Sequence, residues 1–270
     1  MENLKKVKIS NKDLEKLKKR KIGEGRDSIV YAAGKGLLYK VYKDESNLKD
    51  INQKTKIYKK SELKNKVYKE RNCYIDADGV KLYYRDAIKR IIQRQEVIKK
   101  SHLPKAPLYI NKFSGCVLKR IYGIQLHYAF PFLSKKRQAK ILRMIIEKVK
   151  ELTDHYVYPL DIANSPIIGN HSNILLDFRL NPQLIDLDGN STVYRECYDE
   201  SMLKETYLSL NMLFLELIYG FNLNNIDSDL DLEQMKIEMK ESGIDTELIN
   251  KLFDYSADYN DLEKLIKKRK

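Results

Sequence analysis

The spacing of apolar and polar positions changes near the middle of the chain, and this change predicts two kinds of structure. Up to about residue 121, short runs of β-branched and aromatic residues alternate with glycine-containing turns, which is typical of antiparallel strands. Beyond that point, apolar residues recur every three or four positions, which predicts amphipathic helices. The pattern therefore predicts an α+β protein with a strand-rich first part and a mainly helical second part.

The first part is predicted to contain a small antiparallel sheet. Three strands joined by tight turns fit the stretch KIGEGRDSIVYAAGKGLLYKVYK, in which Ile22, Val30 and Leu38 belong to successive strands. The other predicted elements of this part are a helix over 11–20 with Asn11 as its N-cap, a hairpin over 74–84, a helix over 86–100, and strands at 108–110 and 116–121 with Ser114-Gly115 as their turn.

The second part is predicted to be built around helices. One covers 134–152, with Ser134 as its N-cap. A later one, over 207–219, is apolar nearly all round, which predicts a buried helix, and Gly220 ends it. Shorter helices are predicted at about 231–241, at 245–254 and from Asp261.

Between these helices, residues 155–189 are predicted to form a hairpin that carries polar chemistry. Asn181-Pro182 marks a tight turn between two apolar, strand-like runs. Asn173 precedes the first run and Asp186 follows the second, so the hairpin can hold an amide and a carboxylate side by side. Amide and carboxylate oxygens are suitable ligands for Mg²⁺. The plainer interpretation is a surface hairpin with one solvated Asp.

The first turn of the sheet carries Gly23 and Gly25. Glycines let the backbone approach a ligand closely and direct its N–H groups toward phosphate oxygens. Lys40 lies in a following apolar strand, from which an ammonium group can reach the same phosphates. The combination predicts a phosphate-binding turn, and the alternative for Lys40 is an exposed strand lysine.

Composition restricts the classes of function. The 270 residues suffice for one large or two-lobed domain, and 43% of them are hydrophobic. No apolar run approaches the roughly 20 residues of a membrane span, and the N-terminus lacks the apolar segment of a signal peptide, so we expect no membrane partner. Cys73, Cys116 and Cys197 are odd in number and lack metal-ligand spacing, which favours free thiols in a reducing cytoplasm and no structural zinc.

The net charge of +13 invites a nucleic-acid interpretation. Against it, lysines are spread along the whole chain rather than gathered in one stripe. We therefore do not expect nucleic acid as a partner.

Taken in order, these pieces resemble the protein-kinase-like superfamily, in a divergent form similar to bacterial kinases of the eukaryotic type. The stretch GEGRDSIVY resembles the kinase phosphate-binding loop, with Ser28 in place of its third glycine. Lys40 resembles the strand lysine that holds the phosphates, and 210–220 resembles the buried central helix of the large lobe. The resemblance implies a single domain over 1–270, with an N-lobe at about 20–121 and a C-lobe at about 122–265.

The resemblance also implies ATP and Mg²⁺ as cofactors. Asn173 and Asp186, 13 positions apart, match the two metal ligands of the family. The implied ATP-binding residues are Gly23, Gly25, Ser28, Val30 and Lys40 in the N-lobe, Glu96 as the carboxylate that pairs with the lysine, Lys119 and Ile121 in the segment LKRIYG that resembles the hinge, and Leu175 as the floor of the adenine site.

Three features depart from the family pattern. The catalytic Asp of the family stands five residues before the metal-binding Asn, where this chain has Ile168. Tyr158-Pro159-Leu160-Asp161 resembles the catalytic motif instead, which makes Asp161 the candidate base and implies an insertion within 162–172. Leu187-Asp188 replaces the usual Phe-Gly, and no Ala-Pro-Glu motif follows.

Three hypotheses follow. The leading one is a phosphotransferase that uses ATP and Mg²⁺, with a protein Ser/Thr hydroxyl as acceptor and a small alcohol as the alternative acceptor. The second is a pseudokinase that binds nucleotide without transfer. The third is a basic nucleic-acid-binding protein with an incidental kinase-like fold.

Overall fold

A computed structural model of the chain forms two compact units. The strand unit consists of Met1–Arg120, His155–Val157 and Leu187–Tyr198, and the helical unit of Ile121–Asp154, Tyr158–Asp186 and Asp199–Lys270. The structure describes residues 6–25, 28–43, 73–76, 79–82, 92–94, 97–155, 157–159, 162–163, 173–187, 200–220 and 229–268.

The strand unit contains a six-stranded sheet. Its strands lie in the spatial order β1-β7-β8-β4-β3-β2, and every neighbouring pair is antiparallel except β1 with β7. Alternating side chains supply two apolar faces: one includes Leu108 and Val117, and the other includes Cys116, against which Ile92 packs. The strands of the unit are β1 (Val7–Ile9), β2 (Lys21–Glu24), β3 (Ser28–Gly34), β4 (Leu37–Tyr42), β5 (Cys73–Asp76), β6 (Gly79–Leu82), β7 (Ala106–Ile110) and β8 (Lys112–Lys119).

The predicted hairpin near residues 74–84 is present as β5 and β6, which pair with each other in a separate two-stranded sheet.

The first helix, α1 (Asn11–Lys18), corrects the predicted N-cap. Ser10, not Asn11, caps it, because the Ser10 hydroxyl accepts from the Asp13 N–H while the Asp13 carboxylate accepts from the Ser10 N–H. The preceding strand β1 was not predicted, since three residues are too few for a periodic pattern.

Two further expectations about the strand unit are wrong. The turn between β7 and β8 lies at Asn111, which has a positive φ, whereas Ser114 and Gly115 lie inside β8. The helix predicted over 86–100 does not reach its expected end. It is helical at 92–94, and the N–H groups of Val97 and Ile98 then both donate to the Arg94 carbonyl in a closing turn.

The helical unit begins with a three-stranded sheet, in the order β11-β10-β9. Its strands are β9 (Gly123–Gln125), β10 (Ile174–Asp177) and β11 (Pro182–Leu184). The predicted strand, turn and strand of the hairpin are therefore confirmed. The helices of this unit are α2 (Leu126–Ala129), a 3₁₀ turn (Phe130–Phe132), α3 (Lys135–Asp154), α4 (Glu200–Tyr219), α5 (Asp229–Glu241), α6 (Thr246–Phe253) and α7 (Tyr259–Lys268).

The predicted buried helix is confirmed as α4. Leu210, Leu213, Phe214 and Leu215 are fully buried, and the helix ends before Gly220, which has a positive φ. Within the described residues, no helix combines the length and the apolar character that crossing a membrane requires. The six-stranded sheet and the helical remainder confirm the predicted two-lobed α+β architecture.

Candidate functional site

Lys40 lies at the centre of the sheet in the strand unit. It occupies β4, where its cross-strand neighbours are Val30 on β3 and Cys116 on β8. Directly opposed residues project to the same face, so Val30 and Lys40 share one face of the sheet. Lys40 is only 9% exposed. A cation so enclosed is stable only beside groups that compensate its charge. The interpretation of Lys40 as an exposed strand lysine is therefore wrong.

A side chain at Gly115 on β8 would collide with the backbone of β4 at Lys40. A Cβ atom at Gly115 would lie 1.9 Å from the Lys40 carbonyl oxygen. Only glycine fits at this position, because no side chain can stand where another backbone already lies. Gly115 thus allows β8 to pair with β4 beside the candidate phosphate-binding lysine. The predicted turn at Ser114-Gly115 does not account for this role.

The glycine turn precedes β3 and closes on itself. The Gly25 N–H donates to the Ser28 carbonyl at 2.9 Å, and the Ser28 side chain is buried at the start of β3. A Cβ atom at Gly23 or at Gly25 would meet nothing within 4 Å. The protein's own packing therefore does not require glycine at either position, and the space beside both backbones is open.

Glu24, between the two glycines, is held by two lysines. Its carboxylate pairs with the ammonium groups of Lys21 and Lys43, and these hydrogen bonds lower the pKa of Glu24 to about 2. An unpaired carboxylate would repel phosphate from this turn. The two lysines offset that repulsion.

In the helical unit, Asp177 organises the turn between β10 and β11. Its carboxylate accepts from the N–H groups of Arg179 and Asn181, both at 2.9 Å, and from the Gln183 amide at 3.0 Å. Burial alone would raise the pKa of Asp177, but these hydrogen bonds outweigh it and hold the pKa below its usual value. Asp177 is therefore committed to the turn.

The two predicted metal ligands lie at the open end of the same hairpin. The Ile185 N–H donates to the Asn173 carbonyl at 2.9 Å, which extends the ladder beyond the Ile174–Leu184 pair. Asn173 is thereby held opposite the residue that precedes Asp186. Asp186 itself has a φ of 63°, in the left-handed region that non-glycine residues rarely adopt. The structure thus brings Asn173 and Asp186 together and holds one of them in a strained conformation.

The candidate adenine floor, Leu175, lies on the middle strand of this sheet. It is half-buried, whereas its neighbours Ile174 and Leu176 face the core. Gln125 on β9 and Gln183 on β11 are its cross-strand partners. Leu175 therefore shares a face of the sheet with Asn173, because side chains two positions apart point the same way.

The two hinge residues lie where the chain passes from one unit to the other. Lys119 ends β8 and is exposed, with its Nζ 3.3 Å from Nε2 of His102, and Ile121 is half-buried. The Arg120 N–H between them donates to the Gly36 carbonyl at 2.8 Å. This N–H therefore already has a partner within the strand unit.

Two predicted site residues, Glu96 and Asp161, lie outside the described residues. Of the others, Val30 and Lys40 belong to the strand unit, and Asn173, Leu175 and Asp186 to the helical unit. Among the described residues, no group of three or more His, Cys, Asp or Glu side chains could hold a metal ion. An amide and one carboxylate still suit Mg²⁺, which keeps several water ligands and takes others from phosphate.

Sequence reasoning missed Ser209, on α4. Its side chain is buried, and its hydroxyl accepts from the N–H groups of Ile162 and Ala163 at 3.1 Å and 3.3 Å. These two residues directly follow the candidate base Asp161. A single serine in an apolar helix carries no signal of a partner 47 residues away.

Comparisons with known proteins reveal the fold alone. No family model matches the chain, and no curated protein matches it. Among solved structures, that of the apo GRMZM2G135359 pseudokinase matches with a TM-score of 0.54 and 12% sequence identity, over 98% of this chain and 95% of that chain. The protein therefore has a protein-kinase-like fold.

Proposed function

We propose that this protein is a Mg²⁺-dependent phosphotransferase that moves the γ-phosphoryl group of ATP to a hydroxyl, with a protein Ser/Thr side chain as the acceptor. The observation that carries the proposal is Asp186. A non-glycine residue held at positive φ costs free energy, and such residues concentrate at functional sites. Within the described hairpin residues 173–187, Asp177 is committed to the turn, which leaves Asp186 as the carboxylate beside Asn173.

Each residue has a role that follows from its chemistry. Lys40 neutralises and orients the phosphates, and the open space beside Gly23 and Gly25 lets the backbone of the glycine turn approach them. Val30 and Leu175 supply apolar contacts for the adenine ring, and the hinge backbone around Lys119 and Ile121 supplies its polar edge.

Asn173 and Asp186 would hold Mg²⁺, which would neutralise charge on the phosphates. The chain's own residues provide the remaining chemistry. Asp161 accepts the proton of the acceptor hydroxyl, whose oxygen forms a bond to the γ-phosphorus while the bond to the β,γ-bridging oxygen breaks and ADP leaves. Glu96 is the candidate partner of Lys40.

The test is ADP formation from ATP with and without Mg²⁺. We expect Mg²⁺-dependent turnover that Asp161→Ala lowers by at least about a hundredfold, because a positioned general base contributes about 10²–10⁴-fold. ATP affinity in this variant should change little. Undiminished turnover in Asp161→Ala would contradict the assignment of the base.

A specific observation favours a second candidate, a pseudokinase that binds nucleotide without transferring phosphate. Ile168 stands where the family has its catalytic Asp, and Pro159 stands where its motif has His. Thermal unfolding with ATP and Mg²⁺, measured beside the turnover assay, separates the two. A rise in Tm without ADP formation supports the pseudokinase, and a rise with ADP formation supports the transferase.

The acceptor is a further part of the proposal. A small alcohol is the alternative to a protein hydroxyl, because the chain lacks the Ala-Pro-Glu motif associated with the peptide platform. Phosphate transfer to a mixture of Ser/Thr peptides, compared with transfer to small polyols, distinguishes the two acceptors.

A further inference from the structure

The helical unit contains a long stretch that is basic and free of acid. No Asp or Glu occurs between Ile121 and Ile146, whereas this stretch includes Lys135, Lys136, Arg137, Lys140 and Arg143. The first four of these are exposed. Lysines occur along the whole chain, and what distinguishes this stretch is its lack of acidic residues.

The helical unit also exposes large apolar side chains. Phe132, in the 3₁₀ turn, and Phe178, in the turn after β10, are each 88% exposed, the highest values among the described apolar residues. Tyr122, Ile124 and Tyr128 are also more than half exposed. Exposed apolar side chains that adjoin one another mark interaction sites, whereas singly scattered ones are common on protein surfaces.

These residues lie on elements that pack against each other. Helix α2 contacts β9, β10 and the 3₁₀ turn. Phe178 follows Asp177, which pairs with Gly123 beside Tyr122, and Phe132 lies three residues before Lys135. Arg179 follows Phe178 and is exposed, which adds a cation beside the second phenylalanine. We name Tyr122, Ile124, Tyr128, Phe132 and Phe178, with Lys135, Lys136, Arg137 and Arg179, the aromatic–basic surface.

Three cations of this surface lie where they do not stabilise the helix that carries them. Lys135, Lys136 and Arg137 are the first three residues of α3, and its first turn carries no acidic residue. Positive charge at a helix N-terminus opposes the helix dipole. An anionic partner would relieve this repulsion.

We propose that the aromatic–basic surface attaches the protein to the surface of an anionic lipid bilayer. Exposed Phe side chains at two turns can insert into the boundary between headgroups and acyl chains, while lysine and arginine contact the anionic headgroups. Such attachment requires no spanning helix. It revises the expectation of no membrane partner, which rested on the lack of a long apolar run.

Lipid accounts for the surface better than two other anionic partners. Single-stranded nucleic acid stacks on aromatic rings that line a basic groove, and it gives an exposed Ile124 no role. A peptide needs pockets that accept its side chains, whereas this surface offers projecting side chains of its own. The proposal is independent of phosphate transfer.

The test is co-sedimentation of the full chain with vesicles. Vesicles of phosphatidylcholine containing about one-third phosphatidylserine should bind the protein, and pure phosphatidylcholine should bind it far less. The double variant Phe132→Ser/Phe178→Ser should lower the partition coefficient at least about tenfold, because two apolar rings no longer leave water. The triple variant Lys135→Gln/Lys136→Gln/Arg137→Gln should lower it about fivefold for each cation removed.

Matched controls separate this surface from general charge and hydrophobicity. Ile237→Ser removes an exposed apolar side chain from α5, and Lys16→Gln/Lys19→Gln/Arg20→Gln removes three exposed cations from the strand unit. Both controls should retain binding within about twofold. All variants change exposed residues, so the urea midpoints should match the wild type.

Three results would overturn the proposal. The first is failure of the wild type to sediment with the anionic vesicles, and the second is an equal loss of binding in the control variants. The third is displacement of the vesicles by a single-stranded oligonucleotide at a concentration well below that of the lipid, which would assign the surface to nucleic acid.

Discussion

The glycine turn of the strand unit and the hairpin of the helical unit both carry candidate ATP-site residues, but they are held in opposite ways. In the hairpin, Asp177 accepts several hydrogen bonds, and a Cβ atom at Gly123 on the neighbouring strand β9 would lie 2.3 Å from the Leu176 carbonyl oxygen. In the glycine turn, Gly23 and Gly25 border open space, and the neighbouring Glu24 is exposed.

Residues that the fold requires differ from residues that a ligand would require in the contacts that they make within the protein. Where the protein's own contacts explain a residue, as with Gly123 and Asp177, no ligand is needed to account for it. Where they do not, as with Gly23 and Gly25, a ligand is the natural explanation. Asp186 is grouped with them because its backbone is held at a positive φ. The contrast predicts that the first group controls stability and the second controls binding.

The largest expected effect tests the glycines. Gly115→Ala should destabilise the protein by about 3 kcal/mol, because its Cβ would overlap the Lys40 carbonyl and force β4 and β8 apart. Gly23→Ala should change the free energy of unfolding by less than about 0.5 kcal/mol, since its Cβ meets nothing. Urea unfolding measures both. An equal loss of unfolding free energy in the two variants would contradict the distinction between glycines at packed and at open positions.

The next effect extends the contrast to α4. Ser209→Ala removes the acceptor of the Ile162 and Ala163 N–H groups and should cost about 2 kcal/mol, because the buried donors lose their partner. Ser256→Ala, at an exposed hydroxyl that donates to the Lys251 carbonyl, is the control and should cost little. A wild-type urea midpoint for Ser209→Ala would mean that this anchor contributes nothing.

The smallest effect concerns acid. A carboxyl whose pKa is lowered by folding contributes stability above its unfolded value of about 3.8, and that contribution disappears as pH falls through the lower folded pKa. Asp177→Asn should therefore cost about 1 kcal/mol at pH 7 and less at about pH 3, below the unfolded pKa. Urea unfolding at the two pH values measures the difference. A cost that is the same at both would exclude the carboxylate's charge as its source.

Much of the fold could be predicted because local patterns agreed with it. Periodicity identified α3 and α4, and Asn181-Pro182 indicated the hairpin whose register places Asn173 near Asp186. The errors had local causes as well. Both Asn11 and Ser10 are favourable N-cap residues, but Ser10 has Asp13 at the spacing of a capping box.

Other features depended on contacts distant in sequence. Glycine serves turns and close approaches equally, so Gly115 could not be assigned to a strand without its neighbour Lys40. The exposure of Phe132 and Phe178 likewise depends on which elements pack around them, and the distribution of acidic residues along the sequence does not reveal it.

The central claim is that Asp186 binds the metal while Asp177 only shapes the hairpin. Electron paramagnetic resonance of Mn²⁺, a substitute for Mg²⁺, counts bound metal in the presence of ATP. The wild type and Asp177→Asn should bind Mn²⁺ with similar affinity, and Asp186→Asn should bind it at least about tenfold more weakly, because it loses the charged oxygen ligand. Unchanged Mn²⁺ binding in Asp186→Asn, or an equal loss in both variants, would contradict the account.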